Sequence, residues 1–218
     1  MNRKLLISLI ERGESLTIEF KQRFSDYTKI AKEIIAFANT SGGTILFGID
    51  DDGSIYGVES EKSETELIKE TITDFCEPEI EYQISYIELE GKEIVCLEIP
   101  ESTNKPHRIQ DYKSSLDINN AQVYVRVNDK SVLASKEMIK ILQTRSNEKK
   151  LQNYSIGKSE KVVFDYLTEN DFITAKELSK LANISGRRAS RTLINLVRAE
   201  ILAIHTKDNG ENYFSNLT

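Results

Sequence analysis

Three carboxylates sit at places where a strand begins or ends. Glu14 and Glu19 bracket the start of LTIEF (16–20), and Asp50 directly follows the apolar run TILFGI (44–49). Carboxylates from separate segments can share a divalent cation if folding brings the segments together. Such a cation polarises a phosphodiester and activates water. The spacing supports a plainer reading equally: acidic residues at strand ends are commonly solvated, and Asp51-Asp52-Gly53 is good turn chemistry.

The neighbouring glycines offer no phosphate loop. A P-loop needs GxxxxGK[ST], whereas Gly43 and Gly48 are followed by Ile49 and Asp50, so the pattern fails where its lysine and hydroxyl are needed. Gly42-Gly43 reads instead as a helix stop, because glycine accepts the left-handed conformation that a helix C-terminus wants.

A second chemistry-bearing group lies near the C-terminus. In GRRASRTLINLVRAE (186–200), Leu193, Ile194 and Val197 give a helix its core face. Arg187, Arg188 and Arg191 cluster at its start, with Ser190 and Asn195 among them. Arginine's planar fork pairs with guanine or grips a phosphate. The elements around it run helix (KVVFDYLTEN), helix (ITAKELSKLA, N-cap Thr174), tight turn (NIS), this helix, then a hairpin (LAIHT, KDNG, ENYF). That order in about 60 residues predicts a winged helix-turn-helix whose third helix enters a major groove. Lys207, between the wing strands, is placed to reach a phosphate. Protein contact or dimerisation is the competing use of such a module.

The elements before it follow from periodicity. Residues 2–12 and 63–76 have helical spacing, and so does the segment after Asp26, with Ile30, Ile34, Ile35 and Phe37. Strands are predicted at LTIEF, TILFGI and SIYGV, the last two joined by DDDG. EIEYQISYIEL and KEIVCLEIP are predicted to form a hairpin through Glu90-Gly91, and AQVYVRV a further strand. Residues 101–120 read as a long polar loop, ASKEMIKILQTR as a closing helix and the polar run NEKKLQN as a linker. The expected architecture is α+β: a mixed-sheet domain at 1–146, a linker at 147–154 and a winged helix-turn-helix at 155–218.

Composition narrows the classes further. The net charge is −6, so any phosphate-facing surface is local rather than global. From Ser155 onward the chain has nine Lys/Arg against eight Asp/Glu, leaving 20 against 27 in the rest, so its basic character lies toward the C-terminus. Cys76 and Cys96 are far apart, in no CxxC and beside apolar neighbours, which predicts buried reduced thiols in a cytoplasmic protein. Two histidines, His107 and His205, give no zinc-ligand spacing. No leader pattern is present, and no apolar run approaches the ~18 residues of a membrane span.

ESLTIEFK (14–21) followed by IIAFANTSGGTILFGIDDDGSIYGV (34–58) resembles the Schlafen AlbA_2 domain family. KPHRI (105–109) and VYVRVNDKSVLAS (123–135) match that family's Pro-containing loop and its YxRxxxxS-like strand. The resemblance runs from about residue 11 to residue 145. It implies a bacterial protein of the kind that joins this domain to a winged helix and is described as a DNA-binding transcriptional regulator. Some relatives add a divergent ATPase domain, for which 146–218 has no room.

Nuclease members of the family cut structured RNA, transfer RNA included, at a metal-dependent Glu-Glu-Asp site. The resemblance carries those roles to Glu14, Glu19 and Asp50, with Asp51 the substitute if the register shifts by one. Those members clamp RNA between two lobes, whereas this chain has a single copy, so a homodimer would be needed for a comparable groove. Lys21, Arg23, Lys105, Arg108, Lys113, Arg126 and Lys130 are the cations available for its wall. Arg126 stands out, since an arginine within an apolar strand needs a phosphate or an internal carboxylate, and sequence leaves both open.

Three readings follow. The first is a nucleic-acid-binding protein, a regulator docking its winged helix on DNA, with no cofactor required. The alternative is an endoribonuclease using Mg2+ or Mn2+ at Glu14, Glu19 and Asp50. An adaptor without a nucleic-acid partner is the third and plainest reading.

Overall fold

The first long helix shows how local chemistry sets the element boundaries. Asp26 accepts a hydrogen bond from the Lys29 N–H at 3.1 Å and starts α2 (Tyr27–Asn39), satisfying one of the donors that a helix N-terminus leaves open. At its other end Gly42, with φ of 70°, turns the chain so that its N–H reaches the Phe37 carbonyl at 2.9 Å. The glycine pair therefore stops the helix, as its sequence implies. The structure, a computed structural model, describes residues 1–146 and 156–217, so the expected linker at 147–154 lies outside the described residues.

The described chain divides into two units, Met1–Leu133 and Ala134–Thr218. The first is built on a mixed four-stranded sheet of order β1-β2-β5-β4. β1 (Ile18–Lys21) lies parallel to β2 (Gly43–Phe47), with α2 as the crossover between them. β5 (Lys92–Ile99) pairs antiparallel with β2 and with β4 (Gln83–Leu89). Glu90 and Gly91, both at positive φ, make the β4–β5 turn, as a two-residue hairpin requires.

Alternation along the strands gives the sheet two buried faces. Ile45, Phe47, Val95, Leu97 and Ile99 pack with α2 and with α3 (Glu61–Phe75). Ile18, Phe20, Leu46, Ile94 and Cys96 pack with Leu6 and Leu9 of α1 (Arg3–Arg12). Cys76 and Cys96 are buried free thiols, and burial pushes each up to about 12.

Three details differ from the sequence expectation. SIYGV contributes only an Ile49–Ile55 bridge after the turn. The long loop contains a two-residue strand, β6 (Arg108–Ile109), paired with β3 (Cys76–Glu77). VYVRVNDKSVL is a hairpin of β7 (Tyr124–Val127) and β8 (Lys130–Leu133), turning at Asn128 with φ of 55°.

The second unit is helical with a β-hairpin. It comprises α4 (Lys136–Ser146), α5 (Lys158–Leu167), α6 (Ala175–Leu181) and α7 (Gly186–Arg198), followed by β9 (Leu202–Thr206) paired with β10 (Asn212–Asn216). Thr174 and Glu177 form a reciprocal capping box at the start of α6, which satisfies two backbone donors at once. Val163, Ile173, Leu178, Leu193, Leu196, Leu202 and Phe214 form the core, joined by Ile141 from α4. α4 thus packs on α7, within the C-terminal unit.

Candidate functional site

Strand alternation decides where Glu19 goes. Ile18 and Phe20 face α1, so Glu19 between them faces the α2 side of the sheet and is 7% exposed. Its Oε1 pairs with Lys21 Nζ at 2.5 Å and its Oε2 with Arg126 Nη1 at 2.9 Å. The same Arg126 nitrogen lies 2.9 Å from Glu33 Oε2 on α2 and donates to Ser131 Oγ at 3.2 Å. Nη2 donates to the Ser15 carbonyl at 2.7 Å, and the guanidinium lies over the Phe37 ring, 4.6 Å from its centroid. Arg126 and Ser131 are direct cross-strand partners in β7–β8, and the Ser131 hydroxyl also donates to Glu33. The arginine and serine of the YxRxxxxS-like string therefore converge on one carboxylate. Of the two roles open to Arg126, the geometry supplies partners for the internal ion pair.

The other acidic positions are engaged differently. Glu14 Oε1 accepts the Phe20 N–H at 2.9 Å. Burial raises this carboxyl above its ordinary range, with the Phe20 bond opposing and the charges of Glu19 and Asp51 adding to the rise. Asp50 closes the turn through its backbone: its N–H donates to the Ser54 carbonyl and its carbonyl accepts from Gly53. Asp52 accepts the Ser54 N–H at 2.8 Å, and the Ser54 hydrogen bonds hold its carboxyl below the usual value. Among the described residues no group of three or more His, Cys, Asp or Glu side chains is arranged to hold a metal ion. With both Glu19 oxygens committed to cations, the triad as arranged does not fit Mg2+ or Mn2+.

The basic wall expected of this unit is largely spent inside it. Lys105 is buried against Glu101 and the Thr40 carbonyl. Arg108 is 6% exposed, pairs with Glu77 at 2.9 Å and donates to the Lys113 carbonyl. Lys21 pairs with Glu19, as above. Arg23 is exposed, and Lys113 is half-exposed beside Asp111 and Asp117. Pulling a buried cation away from its carboxylate partner would leave an uncompensated charge out of water, which resists its recruitment by an outside phosphate.

The C-terminal unit arranges its arginines the opposite way. Ser185 caps α7 by accepting the Arg188 N–H at 3.3 Å. One face of α7 is buried through Ala189, Thr192, Leu193, Leu196 and Val197. Arg187, Arg188 and Arg191 are exposed, and none of the three is in an ion pair among the described residues. In the β9–β10 hairpin Lys207 is exposed over the rings of Phe172 and Tyr213, at 5.4 and 5.8 Å from their centroids.

Sequence reasoning missed two sets of partners. Glu33 is one member of a polar i, i+4 pattern on α2, and nothing in its spacing announces Arg126. On α4, Glu137 accepts the Ser190 hydroxyl of α7 at 2.5 Å, and Lys136 and Lys140 line the same side. Helical periodicity shows that α4 has an apolar face without showing which helix that face meets.

The N-terminal unit is an α+β domain in which a mixed sheet is packed between helices and the buried cations Lys105, Arg108 and Arg126 are internal cross-links. Residues 14–135 match the Schlafen AlbA_2 family, more than half of the chain, and the chain belongs to that family. It is 28% identical over 173 residues to an uncharacterized ATP-binding protein, UU034, of Ureaplasma parvum serovar 3, covering 68% of this chain. It spans about half (49%) of that relative's length. Among solved structures it is similar to the N-terminal domain of a putative ATP-dependent DNA helicase RecG-related protein from Nitrosomonas europaea, at 25% identity and a TM-score of 0.39, over 50% of this chain and 81% of that one. A second is the DIP2311 protein from Corynebacterium diphtheriae, at 17% identity and a TM-score of 0.45, over 66% of this chain and 28% of that one. Among the described residues no helix is long and apolar enough to cross a membrane.

Proposed function

We propose that the chain is a nucleic-acid-binding protein whose C-terminal residues, from 155 onward, act as a winged helix-turn-helix on duplex DNA, the activity of a transcriptional regulator. One contrast carries this reading: the N-terminal unit buries Lys105, Arg108 and Arg126 against its own carboxylates, while α7 leaves Arg187, Arg188 and Arg191 exposed. A phosphate can recruit only cations that are not already committed. A single α-helix fits the ~12 Å width of a major groove, and these arginines stand in its first two turns, where bases and phosphates are met. Lys207 on the hairpin would add a flanking phosphate contact. A dimer would match the paired half-sites such modules use.

The test is a salt titration of wild-type protein on labelled duplex, followed by fluorescence anisotropy. Three to four phosphate contacts predict a log K against log[salt] slope of about −3 to −4. Binding that ignores salt, or no binding at 50 mM salt, would reject the reading.

The alternative, a metal-dependent endoribonuclease using Glu14, Glu19 and Asp50, draws on one observation: the Glu14 carboxyl, raised first by burial, also feels the charges of Glu19 and of Asp51, the substitute for Asp50 if the register shifts by one. It requires Glu19 to exchange Arg126 and Lys21 for a cation. Transfer RNA left whole with Mn2+ would dismiss it, and cleavage lost in Glu14→Gln would support it.

A further inference from the structure

Beside α7, within the C-terminal unit, lies an open groove of about 1000 Å³ with α4 as its other wall. From α7 it takes Arg187, Arg191 and Arg198, which with Ser190, Ile194 and Asn195 make one helical face at three- and four-residue spacing. From α4 it takes Lys136, Glu137 and Lys140. Five cations thus line the groove beside one carboxylate, Glu137, which accepts the Ser190 hydroxyl at 2.5 Å. Burial alone would raise the Glu137 carboxyl, but the bonds from Ser190, its own backbone and Ser135 outweigh it and hold the group below its ordinary range.

We infer that this α4–α7 groove is a binding site for the phosphodiester backbone of a nucleic acid strand, so that α4 is part of the nucleic-acid interface. The inference rests on the DNA-binding reading above and deepens it. Charge complementarity names the ligand as an anion, and the length of the site names it as a polymer. Arg187 to Arg198 spans about 16 Å along the helix axis, the rise of roughly five nucleotides of one strand. A small anion would reach only one end of this row of cations.

Shape agrees with charge. A helix is about 10–12 Å across with its side chains, so the major groove holds α7 but not α7 and α4 side by side. With α7 in the groove, α4 lies over the bordering strand, and the lysines of its groove-facing side meet phosphates there. Lysine is suited to this place as a point charge without base preference, while the arginines of α7 can read bases as well.

The experiment compares full-length wild type, Lys136→Gln/Lys140→Gln and a charge-matched control, Lys62→Gln/Lys69→Gln on exposed positions of α3. Each is titrated onto two unrelated labelled duplexes between 50 and 200 mM salt. The α4 pair is expected to bind roughly tenfold more weakly at the upper salt, equally for both duplexes, with a slope shallower by about two. The control is expected to match wild type. Wild-type binding with an unchanged slope in the α4 pair would overturn the groove and leave the DNA-binding reading standing. Absence of wild-type binding would overturn both. Displacement of the probe from wild type by polyglutamate as readily as by unlabelled duplex, with no such displacement from the α4 pair, would reassign the groove to an acidic protein segment.

Discussion

Arg126 of β7 closes on Glu19 of β1 at 2.9 Å, across 107 positions of sequence, with its side chain fully removed from solvent. One guanidinium thereby ties a hairpin, a sheet edge and, through Glu33, a helix into one piece. Removing it strands two carboxylates out of water. Arg126→Met is expected to cost about 3–5 kcal/mol in urea unfolding, against at most ~0.5 kcal/mol for Arg191→Met on the exposed face of α7. Equal, small losses from the two substitutions would mean that Arg126 is not the cross-link described.

His107 sets a pH dependence. It is fully buried, its Nδ1–H donates to the Pro78 carbonyl at 2.9 Å, and its Nε2 has no partner among the described residues. Burial lowers its pKa from the ordinary 6.5, with the Pro78 bond opposing and the Lys105 charge assisting. Below that value the unfolded chain binds the proton and the folded chain does not, so stability falls as pH drops beneath 6.5. Glu14 and Glu64, both raised mainly by burial, act with the opposite sign as pH rises through the carboxylate range from 4.5. Unfolding midpoints of wild type and His107→Gln between pH 8 and pH 5.5 isolate the histidine: wild type is expected to lose more than the variant over that interval.

The two glycines of the helix stop are there for space as well as for turning. A Cβ on Gly43 would meet the buried Phe37 ring at 2.4 Å and the Thr17 carbonyl at 2.8 Å. On Gly91 it would meet nothing within 4 Å, so only the positive φ of 73° would be penalised. Gly43→Ala is expected to cost about 3 kcal/mol and Gly91→Ala about 1 kcal/mol, read from urea midpoints at constant m-value.

In the C-terminal unit the Thr174–Glu177 capping box gives a smaller, local expectation. Thr174→Ala should lower stability by about 1 kcal/mol and speed amide exchange in the first turn of α6, with α2 unaffected. Thr174→Ser, which keeps the acceptor, should restore most of the loss.

What sequence revealed and what it withheld divide by range of interaction. Asp26, Gly42, Glu90-Gly91 and Thr174 act within five residues of themselves, and each does in the structure what its type implies. The two-residue β3–β6 pair has no periodicity to detect, because it exists only through tertiary contact. The β7–β8 hairpin carried a signal in Asn128-Asp129 at its turn that the reading of AQVYVRV as a strand, with no partner after it, passed over. At the sites, residue types were legible but commitments were not. Glu19, Lys21, Arg108 and Arg126 have the composition of a catalytic or phosphate-binding surface, yet they pair with one another or with Glu33 and Glu77. The arginines at the start of α7 stay exposed, since a helix with one apolar face must leave its other face in water.

The measurement that tests the central claim most directly sets α7 against the N-terminal unit. Affinity for a random 25-base-pair duplex would be measured at 100 mM salt for wild type, for Arg187→Gln/Arg188→Gln/Arg191→Gln, and for Lys29→Gln/Lys62→Gln/Lys69→Gln, which removes three exposed cations from the other unit. The α7 triple variant is expected to lose at least about a hundredfold and roughly three units of salt slope, while the other triple stays within about twofold of wild type. Equal losses in both variants, or a loss confined to the N-terminal one, would contradict the account.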